Sequence, residues 1–156
     1  CGTGLCGPLV KPHAARLTGV DLSVGMLQKA EGKGCYDHLY RIELGAFLAM
    51  PDEAAAWDVI LSADTLCYFG PLEAVAAGAR RALRPGGLFG FSVEDAGDRA
   101  PDGHLLNPHG RYAHSAAYVR RCLEGAGFAV LGLDPAVLRT EGGKPVHGLI
   151  VVARAA

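Results

Sequence analysis

Three groups of residues in this 156-residue chain have types and spacings that could do chemistry. The first is Gly2-x-Gly4-x-x-Gly7, with Asp21 nineteen residues after Gly2. Without a Cβ, backbone can approach a ligand closely and take positive φ, and a carboxylate ending a strand can accept both hydroxyls of a ribose. The pattern formally matches the glycine fingerprint of dinucleotide sites. The alternatives are a loose glycine turn and a helix-capping aspartate, although Ser23 already supplies a cap. The second group is a pair of acids, Glu43 and Asp64, each following a stretch with strand character. By position alone they read as a solvent-facing strand-end acid and a turn cap.

The third group is a crowd of rings and one guanidinium: His104, His109, Arg111, Tyr112, His114 and Tyr118, with Tyr68 earlier in the chain. A histidine or tyrosine beside a pocket can take a proton from a reacting group. His114 directly precedes Ser115, a helix N-cap, so its backbone is anchored where a loop rejoins the fold. It is the first choice for a general base, followed by His109 and Tyr68. Histidines five and five apart in a proline- and glycine-containing loop are not a helical metal pair, so no metal site is expected. Solvated loop side chains are the alternative.

These residues need elements to position them. Leu5 to Leu17 reads as a helix that Pro12 could kink, and Thr18 to Leu22 as a short strand. Ser23 caps a helix carrying Met26, Leu27 and Ala30 on one face, and Tyr36 to Leu44 is a weakly patterned strand. Trp57 to Ala63 is a short apolar run of the kind found in doubly covered parallel strands. A helix follows Pro71 and stops at Pro85-Gly86-Gly87, and Leu88 to Val93 is the next strand. Asp95 to Ala113 reads as a long loop, Ser115 opens a helix, and Phe128 to Leu133 and Val146 to Ala153 close the chain as an antiparallel pair. Strands alternating with helices predict an α/β fold with a mostly parallel sheet, whose ligands sit beyond the carboxyl ends of its strands.

Composition narrows the partners. Fifteen basic and sixteen acidic residues leave a net charge of −1, without the basic footprint of a general nucleic-acid or membrane-surface binder. Five scattered cysteines without a C-x-x-C pair fit neither a disulfide framework nor a zinc site. No apolar run approaches the roughly 18 residues of a membrane span, and no basic-then-apolar leader opens the chain. A single domain over residues 1–156 in a reducing, cytoplasmic setting is expected.

Taken in order, Cys1-Gly2-Thr3-Gly4, then Gly19-Val20-Asp21-Leu22-Ser23 with Met26-Leu27, then Trp57-Asp58-Val59-Ile60 with Ala63-Asp64, then Leu83-Arg84-Pro85-Gly86-Gly87-Leu88 resemble the class I S-adenosylmethionine-dependent methyltransferases. The resemblance implies a Rossmann-like three-layer sandwich, mostly parallel with one antiparallel strand, and S-adenosylmethionine as the cofactor. It implies that Gly2 and Gly4 lie along the methionine part of the cofactor, that Asp21 holds the ribose and that Leu22 flanks the adenine. Met26 joins this set, Glu43 stands near the adenine amino group, and Asp64 and Leu66 border the methionine and the acceptor pocket. The family's first strand would precede residue 1, so the resemblance implies an N-terminally incomplete domain with weakened cofactor binding. Leu105 to Ser115 resembles a segment of bacterial methyltransferases often joined to tetratricopeptide repeats.

Methyl transfer from a sulfonium is an in-line displacement, so positioning supplies most of the catalysis, up to ~7–11 kcal/mol. The acceptor would be a small molecule or a protein. Two alternatives remain open: a nicotinamide-dependent oxidoreductase fragment, against which the lack of a Tyr-x-x-x-Lys pair argues, and an inactive methyltransferase-like domain.

Overall fold

The computed structural model describes residues 1–100 and 102–156; Pro101, within the stretch read as a loop, lies outside the described residues. The chain divides into two compact units, Cys1–Met50 and Pro51–Ala156.

In the first unit, the expected Leu5 to Leu17 helix shrinks to α1 (Gly7–Val10) and one 3-10 turn, Lys11–His13. Pro12 has no N–H to extend the helical ladder, and Ala14 is already extended. β1 (Thr18–Asp21) leads into α2 (Val24–Glu31), where the Ser23 hydroxyl accepts the Met26 N–H at 3.3 Å. β2 (His38–Arg41) pairs parallel with β1, from Thr18 opposite His38 to Asp21 opposite Arg41. The strand read from Tyr36 to Leu44 is shorter than expected because Glu43 starts a helix, α3 (Leu44–Ala49). Phe47 and Leu48 of α3 and Ala30 of α2 are the buried side chains of this unit.

The second unit is built on β3 (Trp57–Ser62), α4 (Glu73–Ala82) and the long β4 (Leu83–Asp95), which pairs parallel with β3. The stretch read as a long loop contains a small hairpin, β5 (His104–Leu106) and β6 (Tyr112–His114), and β6 runs parallel to the end of β4 at Glu94 and Asp95. Ala96, Ala100 and Ala113 bury a small cluster with Leu105 that seats this hairpin, an apolar signal too sparse to show a periodicity. α5 (Ala116–Gly125) leads to β7 (Phe128–Glu141) and β8 (Lys144–Ala155). As predicted, β8 pairs antiparallel with β7, and it lies antiparallel beside β4. Strands β3, β6 and β7 run in the direction of β4, while β8 and the short β5 run against it.

The core of this unit sits where α4 (Val75, Ala76, Ala79) and α5 (Val119, Leu123) meet Phe89, Phe91 and Phe128; the Phe89 and Phe91 rings are 4.7 Å apart. The β7–β8 turn is Gly142-Gly143, both at positive φ, which suits a two-residue hairpin. Near it, the register slips between Val137 and Arg139. The extra residue, Leu138, packs onto Gly148, where a Cβ would overlap Leu138 Cδ1 and the Val93 carbonyl oxygen.

Candidate active site

In the first unit the chemistry gathers around Asp21. Gly2 takes φ +56° with open space where a Cβ would point, and Gly4 takes φ +76° with Ala30 Cα 2.9 Å from that position. The first glycine answers to backbone conformation, and the second to conformation and packing together. This turn delivers the Gly2 N–H to Asp21 Oδ2 at 2.8 Å, while the Ser23 N–H donates to Oδ1 at 2.8 Å. Burial would raise the Asp21 carboxyl, but the bonds from the Ser23 and Gly2 N–H groups favour its charged form, and the group is held below its ordinary value. Asp21 is therefore an ionised, acceptor-only group with lone pairs left over, as recognition of vicinal hydroxyls requires. Leu22 and Met26 expose apolar side chains next to it.

Glu43 has a job that sequence reasoning did not foresee: Oε1 accepts the Gly45 N–H at 2.8 Å and Oε2 the Ala46 N–H at 2.7 Å, capping α3. The signal was an acid followed by Leu44-Gly45-Ala46-Phe47-Leu48, a short helix hidden behind a strand reading.

In the second unit, Asp64 follows β3 at φ +52°, and its N–H donates to the Ser92 hydroxyl at 3.0 Å. Its carboxylate belongs to a charged cluster beyond the carboxyl ends of β3 and β4. Arg139 donates to Asp64 Oδ1 at 2.8 Å, to Glu141 Oε1 at 2.8 Å and to Glu94 Oε1. Arg111 lies 3.0 Å from Glu141, 3.9 Å from Asp64 and 4.0 Å from Glu94. Asn107 donates to Glu94 Oε2 at 3.2 Å, and His109 Nε2 is 3.7 Å from the same oxygen. Burial opposes charge on Arg139, but Glu141, Glu94 and Asp64 prevail and push its guanidinium above its ordinary range. Likewise Glu141 is lowered, first by its bond from Arg139.

Of this cluster Asp64, His109 and Arg111 were singled out from the sequence. Glu94 carried one usable signal, an acid ending an otherwise apolar strand. Arg139, read as part of a polar connection, is aimed by the bulge at Leu138, which no sequence pattern revealed.

The predicted bases separate. His114 is 0% exposed: its Nε2 meets the Gly70 carbonyl oxygen at 2.8 Å, its ring stacks on Tyr118 at 6.0 Å, and its Nδ1 has no partner. A carbonyl can only accept, so Nε2 carries the proton. Burial holds the ring below its ordinary pKa, against the opposing Gly70 bond. The junction position does anchor His114, but it aims the ring into the fold, so the site residue read from that anchoring becomes a core residue. Leu66, expected to border the cofactor, is also buried, at 1% exposure, because its 3-10 turn points it into the core below α4. His109 is 48% exposed, and Tyr68 is exposed with the Arg111 guanidinium 5.8 Å from its ring centroid. Among the described residues, no group of three or more His, Cys, Asp or Glu side chains could hold a metal ion.

The sequence model of the family described as "Methyltransferase domain" matches residues 1–91. The chain belongs to the methyltransferase-domain family. The resemblance to class I S-adenosylmethionine-dependent methyltransferases thus holds, and it holds over residues that bear both the Asp21 turn and Asp64. The domain is 33% identical over 97 residues to a malonyl-[acyl-carrier protein] O-methyltransferase of Serratia marcescens, covering 62% of this chain and 37% of that protein. It therefore spans well under half the length of the curated relatives it matches. Its fold is that of the S-adenosylmethionine-dependent methyltransferase of Mesorhizobium loti, at 24% identity and a TM-score of 0.76, covering 99% of this chain and 87% of that one. It is equally similar to the 1,6-didemethyltoxoflavin-N1-methyltransferase of Burkholderia thailandensis, solved with S-adenosylhomocysteine, at 20% identity and a TM-score of 0.75 over 99% of this chain and 68% of that one. These likenesses identify the methyltransferase domain as Rossmann-like α/β.

Proposed function

We propose that this chain carries out S-adenosylmethionine-dependent methyl transfer to a small-molecule, lipid or protein acceptor. The observation that carries the reading is Asp21: an ionised carboxylate at the end of β1, held by the Gly2 and Ser23 N–H groups and flanked by exposed Leu22 and Met26. That set fits an adenosyl group, with two hydroxyls for the carboxylate and an apolar face for the base. Gly2 and Gly4 line the approach to it, and Glu43 caps α3 with lone pairs still available for an amino group. When bound, S-adenosylmethionine supplies an electrophilic methyl group on a sulfonium. The chain's own contribution is to orient the reacting groups; within the second unit, Asp64 and Tyr68 follow the carboxyl end of β3, the end of a strand at which open α/β sheets bind ligands.

The family match favours this reading over a nicotinamide-dependent one. No helix among the described residues is long and apolar enough to cross a membrane. The free thiols of Cys1, Cys6, Cys35, Cys67 and Cys122 support a reducing, cytoplasmic setting.

Titration calorimetry tests the reading. The wild-type chain should bind S-adenosylmethionine, and Asp21→Ala should weaken binding by tens of fold, the equivalent of about 2–3 kcal/mol for lost charge-assisted bonds. Asp21→Asn, which keeps the shape, should also bind more weakly. A wild-type protein that binds NADH and not S-adenosylmethionine would overturn the proposal.

A further inference from the structure

We propose that Arg111 and Arg139 form a seat for the carboxylate of a small-molecule ligand, and that Glu141 occupies this seat as an intramolecular stand-in when no ligand is bound. The seat lies wholly within the second unit, and it stands apart from the methyl-transfer reading.

Glu141 ends β7, just before the Gly142-Gly143 turn. Its Oε1 accepts from two guanidiniums at once, Arg139 Nε at 2.8 Å and Arg111 Nη1 at 3.0 Å. Arg139 comes from β7 and Arg111 directly precedes β6, so two charged donors from separate segments converge on one carboxylate oxygen, the arrangement by which arginine recognises a carboxylate. Other groups hold these donors in place. Arg139 also donates to Asp64 Oδ1 at 2.8 Å and to Glu94 Oε1. The Glu94 side chain is 6% exposed, and its Oε2 accepts Asn107 Nδ2 at 3.2 Å. Arg111 lies 3.9 Å from Asp64 and 4.0 Å from Glu94, with its guanidinium 5.8 Å from the Tyr68 ring centroid. All of these contacts persist when Glu141 swings away. The Glu141 side chain is 44% exposed and adjoins a turn whose glycines have open space around their Cβ positions, so rotation of one side chain opens the seat.

Charge selects the ligand class. Asp64, Glu94 and Glu141 set three carboxylates against the two guanidiniums of Arg111 and Arg139. Exchanging Glu141 for one ligand carboxylate leaves that count unchanged. A phosphate group, with a charge of about −1.5 to −2, would add to the negative excess, and a neutral ligand would leave both donors without a charged partner. Tyr68, exposed beside Arg111, offers an aromatic surface to the body of the ligand. Because Glu141 is held by charge-assisted bonds, it competes with the ligand, and the apparent affinity falls by the fraction of time the seat stands open, a factor of about ten to a hundred.

The test titrates benzoate, its neutral isostere benzamide and inorganic phosphate into the full chain, followed by ¹H–¹⁵N NMR of the arginine Nε–H signals. Glu141→Ala should bind benzoate ~10–100-fold more tightly than the wild type, with the Arg139 Nε–H signal moving as the seat fills. Benzamide and phosphate should bind more weakly than benzoate. Adding Arg111→Gln to Glu141→Ala should abolish the gain. Glu124→Ala, which removes a carboxylate from an exposed pair with Arg120, should bind benzoate as the wild type does and so controls for the general loss of negative charge. Where Arg111→Gln fails to fold by circular dichroism, Arg111→Lys takes its place and should lose most of the gain, since an ammonium lacks the planar fork. The proposal is overturned by equal or undetectable benzoate binding in the wild type and Glu141→Ala, by the same gain in Glu124→Ala, by benzamide or phosphate binding as tightly as benzoate, or by a gain that survives replacement of Arg111. S-adenosylmethionine plays no part in the readout, so each of these failures leaves the methyl-transfer reading standing.

Discussion

Replacing His114 by alanine should unfold the protein more easily, and the structure sets the size of the effect. The ring has no exposed surface and stacks on Tyr118, so its removal leaves a cavity like that of a truncated aromatic, about 3–5 kcal/mol. It also orphans the Gly70 carbonyl, whose donor at 2.8 Å disappears, a loss of about 1–3 kcal/mol that overlaps the first. A total of about 3–5 kcal/mol corresponds to a fall in Tm of roughly 6–20 °C for a chain of this length. Differential scanning calorimetry, or urea denaturation followed by circular dichroism, would measure it. The pH dependence sharpens the test. Burial lowers the folded-state pKa of His114, so the unfolded chain binds the proton more readily. The stability this neutral ring contributes is complete above the unfolded value of about 6.5, and is lost as pH falls from there through the depressed folded value, by up to ~1.4 kcal/mol per pH unit. His114→Ala should flatten that part of the stability profile. A change below about 1 kcal/mol at pH 7.5, or an unaltered slope between neutral and acid pH, would refute the reasoning.

Gly148→Ala should destabilise the β7–β8 arm by about 1–3 kcal/mol, because the new Cβ overlaps Leu138 and the Val93 carbonyl; Leu138→Ala in the same chain should recover part of the loss in urea titrations. Glu43→Ala should cost about 1 kcal/mol of stability, since the Gly45 and Ala46 N–H groups lose their cap, and Glu43→Asp or Glu43→Ser should restore most of it. A Glu43→Ala variant as stable as the wild type in calorimetry would remove the capping role.

Much of the architecture was legible because it rests on local chemistry. Ser23 and Ser115 cap their helices where a short hydroxyl next to an amphipathic run predicts it, and Pro85-Gly86-Gly87 follows the end of α4 because proline cannot extend the helical ladder. The closing antiparallel pair was readable because its two strands follow one another with no helix between them. Asp21 was legible for the same reason: it and its partners lie within a strand end and a glycine turn, and the turn's conformation is dictated by glycine itself.

Side-chain direction was not local. His114 and His109 are five residues apart in one stretch, and nothing in their sequence neighbourhood says that one ring points at Gly70 and the other at Glu94. The pairing of β6 with the end of β4 decides it, and that pairing is held by small apolar residues too sparse to read as a pattern. Arg139 reaches Glu94 across 45 residues because one extra residue at Leu138 shifts the strand register. Residue types able to hold a ribose or take a proton, and the caps and turns that start and stop each element, are set by local order along the chain. Which histidine faces solvent, which acid is the hub of the charged cluster and where the guanidiniums go emerge from the folded chain, because contacts between distant segments depend on strand pairing and packing, which no local spacing encodes.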